Sequence, residues 1–302
     1  MSSLLLDSDP LEDFRQRLLA LMGDLPLNVD ITAKFVAEDE YEDFFIEHLV
    51  LNLNNGEDVP AYFTKPKNAQ APYPTVLFSH SHGGFYNMGK KELLEPAPYM
   101  YQRPYAADLA KMGIASLAID HYCFGERSGR SESATFKSML WDGKVMWGMM
   151  VFDSLQAVNY LHTRADVDTS RIGALGMSMG STMSIWTTAL DPRIKICADI
   201  CCLTDFTEIE KQNGLDAHGI YYYVPKLRAH FTMGNLVRMI APRPHLSTVG
   251  YYDALTPPGG IQRIEDEKQY FDHNHQINTY PVAHQETREM REDVLAFIRR
   301  NL

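Results

Sequence analysis

Apolar residues near the start of the chain change their spacing twice. Leu11, Phe14, Leu18, Leu19 and Met22 recur at helical intervals and Gly23 closes the run, which predicts a helix over residues 10–23. Phe44 to Leu51 and Val59 to Phe63 follow as two strands joined by an Asn54-Asn55-Gly56 turn. The proline-rich stretch from Lys65 to Pro74 reads as a surface connector. From Thr75 onward, short unbroken apolar runs alternate with helical ones. Strands are predicted at Thr75–Phe78, Ile114–Ile119, Ile172–Leu175, Ile194–Leu203, His245–Gly250 and Asn278–Val282. Helices are predicted over 104–112, Asp142–Leu161, Ser181–Leu190, 262–272 and Glu286–Leu302. Continuous apolar strands separated by helices belong to an α/β fold, with a mostly parallel central sheet covered on both faces. No repeat or low-complexity tract interrupts it. The expected organisation is an extension over 1–57, carrying the first helix and first strand, and one main domain over 58–302. Loop insertions fall near 126–150 and 206–240.

Composition narrows the classes of function. Of 302 residues, 45% are hydrophobic and 22% charged, so a large core forms without metal or disulfide staples. Thirty-nine acids against 28 bases leave a net charge of -11. Basic residues cluster only in pairs such as Lys90-Lys91 and Arg299-Arg300, too few for a nucleic-acid partner. No run of eighteen apolar residues exists, so no membrane span is expected. The opening Met-Ser-Ser-Leu-Leu-Leu-Asp-Ser-Asp-Pro has neither a basic start nor a small-residue cleavage site, and no secretory signal is expected. Of the four cysteines, Cys197, Cys201 and Cys202 fall on or beside one expected strand, and only Cys123 lies elsewhere. That grouping suits buried free thiols rather than a disulfide framework, and the cytoplasm is the expected compartment.

The chemistry centres on Gly176-Met177-Ser178-Met179-Gly180, a single G-x-S-x-G. A strand enters it and a helix leaves it, the context in which a tight turn pushes a serine out above a sheet. Glycines at both ends relieve the crowding of that turn. The helix places the positive end of its dipole beneath a developing oxyanion.

A serine on this turn takes its partners in the chain order Ser, then Asp or Glu, then His. Of the eleven histidines, only His273, His275 and His284 follow the expected strands that carry the acid. His273 and His275 read as a solvated helix end. His284 lies on the loop between the last strand and the last helix and is the favoured base. For the acid, Asp253 ends the His245–Gly250 strand in a turn closed by Pro257, where it can hold a histidine tautomer. Asp205 is the rival acid, and Asp199, inside a strand, reads as structural.

Two backbone N–H groups should face the oxyanion. Met179, next after the nucleophile, supplies one. The other comes from Ser79-His80-Ser81-His82-Gly83-Gly84, which resembles an HGGG-type loop and puts the donor near His82 or Gly83. Ser81 stands where such loops use glycine, a departure because serine tolerates positive φ poorly. His80-x-His82 and His273-x-His275 have no third ligand at familiar spacing, so no metal and no other cofactor is expected.

In order along the chain these residues resemble the branch of the α/β-hydrolase superfamily that holds dienelactone hydrolases and acetyl xylan esterases, related to the prolyl oligopeptidase catalytic domain. The resemblance spans about 58–302. It rests on Val59-Pro60-Ala61-Tyr62, Phe78 to Gly84, Ala118-Ile119-Asp120 with Phe124-Gly125-Glu126-Arg127, the serine turn, Ala189 to Ile194, Asp253-Ala254-Leu255-Thr256-Pro257 and His284. It implies a triad of Ser178, Asp253 and His284 that cleaves small-acyl carboxylic esters. A small-molecule ester is then the only expected partner, with oligomeric state left open. Lactone, thioester or amide cleavage on the same triad is the nearest alternative. A non-catalytic binding protein that keeps the fold is the alternative from another class. In the two insertions Trp141, Trp147, Met150 and Tyr222 are candidates to contact the substrate, with ordinary packing or an oligomer contact the equal alternative, and Arg127 is a candidate either to hold a substrate carboxylate or to pair with Glu126, Glu132 or Asp120.

Overall fold

The computed structural model describes residues 11–268 and 274–302. Among them the strands form one nine-stranded sheet in the order β1-β2-β3-β5-β4-β6-β7-β8-β9. β1 (Thr32–Glu40), β2 (Phe44–Asn52) and β3 (Asp58–Pro66) run antiparallel, and β3 pairs antiparallel with β5 (Ala115–Ile119). β4 (Tyr73–Ser79), β6 (Val167–Met177), β7 (Ile196–Ile200), β8 (His245–Gly250) and β9 (His275–Tyr280) complete a parallel array with β5. The helices are α1 (Leu11–Leu19), α2 (Tyr105–Lys111), α3 (Glu132–Trp141), α4 (Met146–Thr163) and α5 (Met179–Leu190). They continue as α6 (Phe206–Lys211), α7 (Leu227–His230), α8 (Met233–Ile240), α9 (Pro258–Lys268) and α10 (Arg288–Asn301).

Successive residues of a strand face opposite sides of a sheet, and here both sides are dry. In β4, Val76 and Phe78 pack with α2 and α10, while Leu77 packs with α4. That two-sided burial is why these strands read as unbroken apolar runs. α1 is part of the core rather than an appendage: Phe14 and Leu18 are fully buried, and Arg15 Nε donates to the Ala189 carbonyl of α5 at 2.9 Å.

Several elements differ from the sequence expectation. β1 was not predicted because all nine of its residues are exposed, leaving no apolar alternation to see. It is held by its backbone ladder with β2, which carries a bulge between Phe35 and Ala37. The connector shortens to 67–72 because β3 runs on to Pro66 and β4 begins at Tyr73. The helix expected from Asp142 begins at Met146, and a separate α3 precedes it, capped by the Ser131 side chain on Ala134 N–H. The break between them falls at Gly143, whose φ is 70°. The strand expected at Asn278–Val282 is β9, three residues earlier. The last four residues of the helix expected over 262–272, together with His273, lie outside the described residues, as do the ten residues that open the chain. Among the described residues, no helix is long and apolar enough to cross a membrane.

Candidate active site

Three side chains from different parts of the chain meet above the carboxyl ends of the parallel strands. Ser178 joins β6 to α5 with φ 58° and ψ -118°, a backbone conformation that costs a non-glycine residue of order 1–3 kcal/mol. The flanking packing enforces it. A Cβ on Gly180 would lie 1.9 Å from the Ser79 carbonyl oxygen of β4, and one on Gly176 would lie 2.4 Å from the Gly180 backbone. Only glycine lets the first turn of α5 press this closely on the sheet. Ser178 N–H donates to the Ile200 carbonyl at 2.9 Å, fixing the turn from the β7 side.

Ser178 Oγ lies 2.9 Å from His284 Nε2, and His284 Nδ1 lies 2.8 Å from Asp253 Oδ2. With Nδ1–H donating to the carboxylate, Nε2 is left to accept from the serine hydroxyl. Asp253 is buried and immobilised, accepting from Leu255 N–H at 2.9 Å and from Thr256 Oγ1 at 3.3 Å. The loop bearing His284 is anchored two residues on. Glu286 accepts both Nε and Nη2 of buried Arg291 at 2.8 Å, and Tyr105 Oη at 2.5 Å. The rival acid, Asp205, instead caps α6 by accepting from the N–H groups of Thr207 and Glu208. Asp199 lies in the core, accepting from Ser181, Ser247 and His245.

Met179 opens α5, so its N–H belongs to the first turn, which has no intrahelical acceptor. Across from it runs the loop 80–84 after β4. His80 is wholly buried; its Nδ1 faces the Ser81 carbonyl at 2.9 Å and its Nε2 accepts from His121 N–H. Burial holds it neutral by lowering its pKa to about 4. The departure feared at Ser81 does not arise, because positive φ falls on Gly83 and Gly84 instead. Ser81 is tied down by its N–H, which donates to Glu92 Oε1 at 2.8 Å, and by short contacts of its hydroxyl with Glu92 and Tyr99. Burial raises the Glu92 carboxyl to about 7.

His82 contributes more than a backbone position. Its Nδ1 accepts Gly84 N–H at 3.1 Å, so its Nε2 carries the proton and donates to Glu132 Oε1 at 3.0 Å. The ring stacks on Tyr221 at 5.3 Å and meets Phe124 and Tyr86 edge-on. Glu132 comes from α3, and nothing in the sequence linked it to the 80–84 loop.

These groups line a cavity of about 790 Å³ that holds Ser178, His284, His82, Glu132, Cys202 and Tyr221 at its walls. Burial raises the Cys202 thiol to about 12, so it stays protonated beside the serine. Of the expected substrate contacts, Trp141 is 91% exposed, Trp147 and Met150 are core residues, and Tyr222 lines a neighbouring cavity. Arg127 is buried, paired with Asp153 and Glu57, and lines a cavity other than the one that holds Ser178. All four cysteines are free and buried. Among the described residues, two groups sit close enough to share a metal ion: Cys197, Asp199 and His245 in the core, and Cys201 with Asp253 and His284. In both, the carboxylate and imidazole already hydrogen-bond to each other.

The model of the acetyl xylan esterase (AXE1) family matches residues 11–219. The chain is 50% identical over 253 residues to "Putative hydrolase YtaP" of Bacillus subtilis (strain 168), covering 84% of this chain and 85% of that protein. Acetyl xylan esterase 1 from Thermoanaerobacterium sp. JW/SL YS485 superposes with a TM-score of 0.69 at 16% identity, over 96% of this chain and 93% of the other. The acetyl xylan esterase from Paenibacillus sp. R4 gives 0.66 at 18%, with the same coverage. These likenesses show the α/β-hydrolase fold.

Proposed function

Since the chain belongs to the acetyl xylan esterase (AXE1) family and is a carboxylic ester hydrolase, we propose that it cleaves small-acyl esters by double displacement on Ser178. The observation that carries this reading is the unbroken line from Asp253 through His284 to Ser178, with contacts of 2.8 and 2.9 Å, at the floor of an open cavity. His284 Nε2 takes the hydroxyl proton as Ser178 Oγ attacks the carbonyl carbon. Negative charge gathers on the carbonyl oxygen, facing Met179 N–H and an N–H of the His82-Gly83 segment. The tetrahedral species collapses as the imidazolium returns its proton to the departing alcohol, leaving an acyl-serine. Water, activated by the same imidazole, repeats the sequence and releases the acid. Asp253 keeps its charge throughout and stabilises the imidazolium.

The test is hydrolysis of p-nitrophenyl esters of increasing acyl length by the wild type beside Ser178→Ala. Acetate should be cleaved best, and the variant should lose about 10⁶-fold in kcat. A variant with near wild-type activity removes Ser178 from the mechanism. No hydrolysis of any ester by folded wild type, with no labelling by a fluorophosphonate, overturns the reading in favour of a binding protein.

A further inference from the structure

Beside the line from Asp253 to Ser178 lies a sulfur that the mechanism leaves unused. Cys201 follows β7, its N–H donating to the Thr248 carbonyl at 2.8 Å, and its buried thiol donates to the Gln285 carbonyl at 3.6 Å. Its Sγ, a carboxylate oxygen of Asp253 and a ring nitrogen of His284 all lie within 4.8 Å of one another. His284 Nε2 is directed at Ser178, so the nitrogen turned toward the other two is Nδ1. Thiolate, imidazole and carboxylate are the ligand types of zinc sites, and bonds of about 2.0–2.3 Å set tetrahedral donors about 3.3–3.8 Å apart. The trio is near that spacing. His284 Nδ1 and Asp253 Oδ2, 2.8 Å apart, must part slightly while the sulfur draws in. Asp253 supplies negative charge and the Gln285 carbonyl a further oxygen, while Glu286, next along, is balanced by Arg291. The way in is through the histidine, whose side chain is 23% exposed and lines the catalytic cavity. The other such trio, Cys197, Asp199 and His245, is at most 1% exposed at every member.

We propose that Cys201, Asp253 and His284 form an inhibitory site for a thiol-seeking divalent cation of the zinc type, a regulator rather than a cofactor. That the bound ion inhibits rests on the proposed function; that it binds does not. On binding, Cys201 releases its thiol proton to water and the sulfur takes the metal. The proton of His284 moves from Nδ1 to Nε2, so the imidazole stays neutral and holds the ion through Nδ1. Thiolate and carboxylate together balance the two charges of the ion, which leaves no net charge in a buried place. Nε2–H then faces Ser178 Oγ as a donor, and the hydroxyl has lost its base. The ion therefore acts by fixing the wrong tautomer, without touching the serine.

The experiment titrates Zn²⁺ into the full chain and follows p-nitrophenyl acetate hydrolysis, fluorophosphonate labelling of Ser178 and X-ray absorption at the zinc edge. Zinc should suppress both reactions, EDTA should restore them, and the bound ion should show one sulfur at about 2.3 Å among lighter ligands at about 2.0–2.2 Å. Cys201→Ser keeps the size of the side chain and a donor for the Gln285 carbonyl. Read against its own zinc-free rate, it should need at least about 100-fold more zinc for the same inhibition, and its sulfur signal should vanish. Cys201→Ala removes the remaining oxygen and should be no more sensitive. Cys202→Ser changes the thiol that lines the catalytic cavity and should leave zinc inhibition as in the wild type. Inhibition unaltered in both Cys201 variants, a zinc shell without sulfur, or sensitivity that follows Cys202 or Cys197 overturns the assignment. Zinc held by Cys201 with hydrolysis and labelling undiminished overturns the inhibitory role. A folded wild type that binds zinc through Cys201 yet hydrolyses no ester without it strikes the ester reading instead, so the two failures are distinguishable.

Discussion

Two regions meet at Ser178 and are built in different ways. Below it, the ends of β6 and β8 and the loop after β9 present Ser178, Asp253 and His284 from a sheet buried on both faces. Each is fixed by hydrogen bonds that leave one arrangement: Ser178 N–H on Ile200, Asp253 under Leu255 and Thr256, and the His284 loop anchored through Glu286 and Arg291. Above it, the walls come from α3 and from residues 203–240, a series of short helices and turns. There the contacts are ring against ring, with Tyr221 on His82 and on Trp147, and Tyr222 on Trp147 and Phe206. The lower region fixes a few atoms by directional hydrogen bonds. The upper one fixes a shape, and a shape can change without disturbing the atoms beneath.

If that division is right, changes below should cost far more than changes above. After Ser178→Ala, the largest effect is expected from Asp253→Asn, which keeps the packing but lets the histidine adopt the wrong tautomer. It should lower kcat about 10⁴-fold with little change in melting temperature, measured by steady-state kinetics beside thermal unfolding. A loss under tenfold breaks the comparison.

Next in size is a stability effect at Glu92, which ties the 80–84 loop to the frame through Ser81. Its carboxyl is raised from 4.5 to about 7, so the folded state holds a proton that the unfolded state has released across that window. Its contribution is complete below the lower value and is lost as pH rises through about 7, a swing on the order of 3 kcal/mol. His80 and His218, both lowered to about 4, act in the opposite sense between about 4 and 6.5. Their effect is common to the wild type and to Glu92→Gln. Urea unfolding of both proteins at low and high pH should therefore show the variant gaining on the wild type as pH rises.

The smallest effect sharpens the boundary itself. Glu132 belongs to the wall yet holds His82 of the 80–84 loop. Glu132→Ala should lower kcat about tenfold at nearly constant KM, the part of a charge-assisted hydrogen bond felt in the transition state. Glu132→Gln, whose amide oxygen still accepts, should recover most of it. A change confined to KM makes Glu132 a binding residue only.

The two regions also differ in how much of them can be read from residues alone. β4 to β8 stand out because both faces are dry, and Ser178, Asp253 and His284 follow from a short motif, a chain order and the ends of strands. β1 escapes for the opposite reason, since none of its residues is buried. The pairing of Glu132 with His82 spans fifty positions and depends on where α3 comes to rest, which no local period encodes. Trp141 and Trp147 show the same limit: six residues apart, one ends exposed and the other in the core. Aromatic content says that a wall exists, but contact decides which ring belongs to it.

The crossing of α5 over β4 also bears on what a match to the serine motif means. Gly176 and Gly180 are demanded by the carbonyl of Ser79 and by each other, whatever residue 178 carries. The glycines answer to architecture and the serine to chemistry. A descendant of this chain that lost catalysis should still keep both glycines to fold, so the pattern around the serine outlives the activity. On the proposed mechanism, diagnosis of an active member therefore belongs to the distant pair, Asp253 and His284, which the packing of this turn does not require.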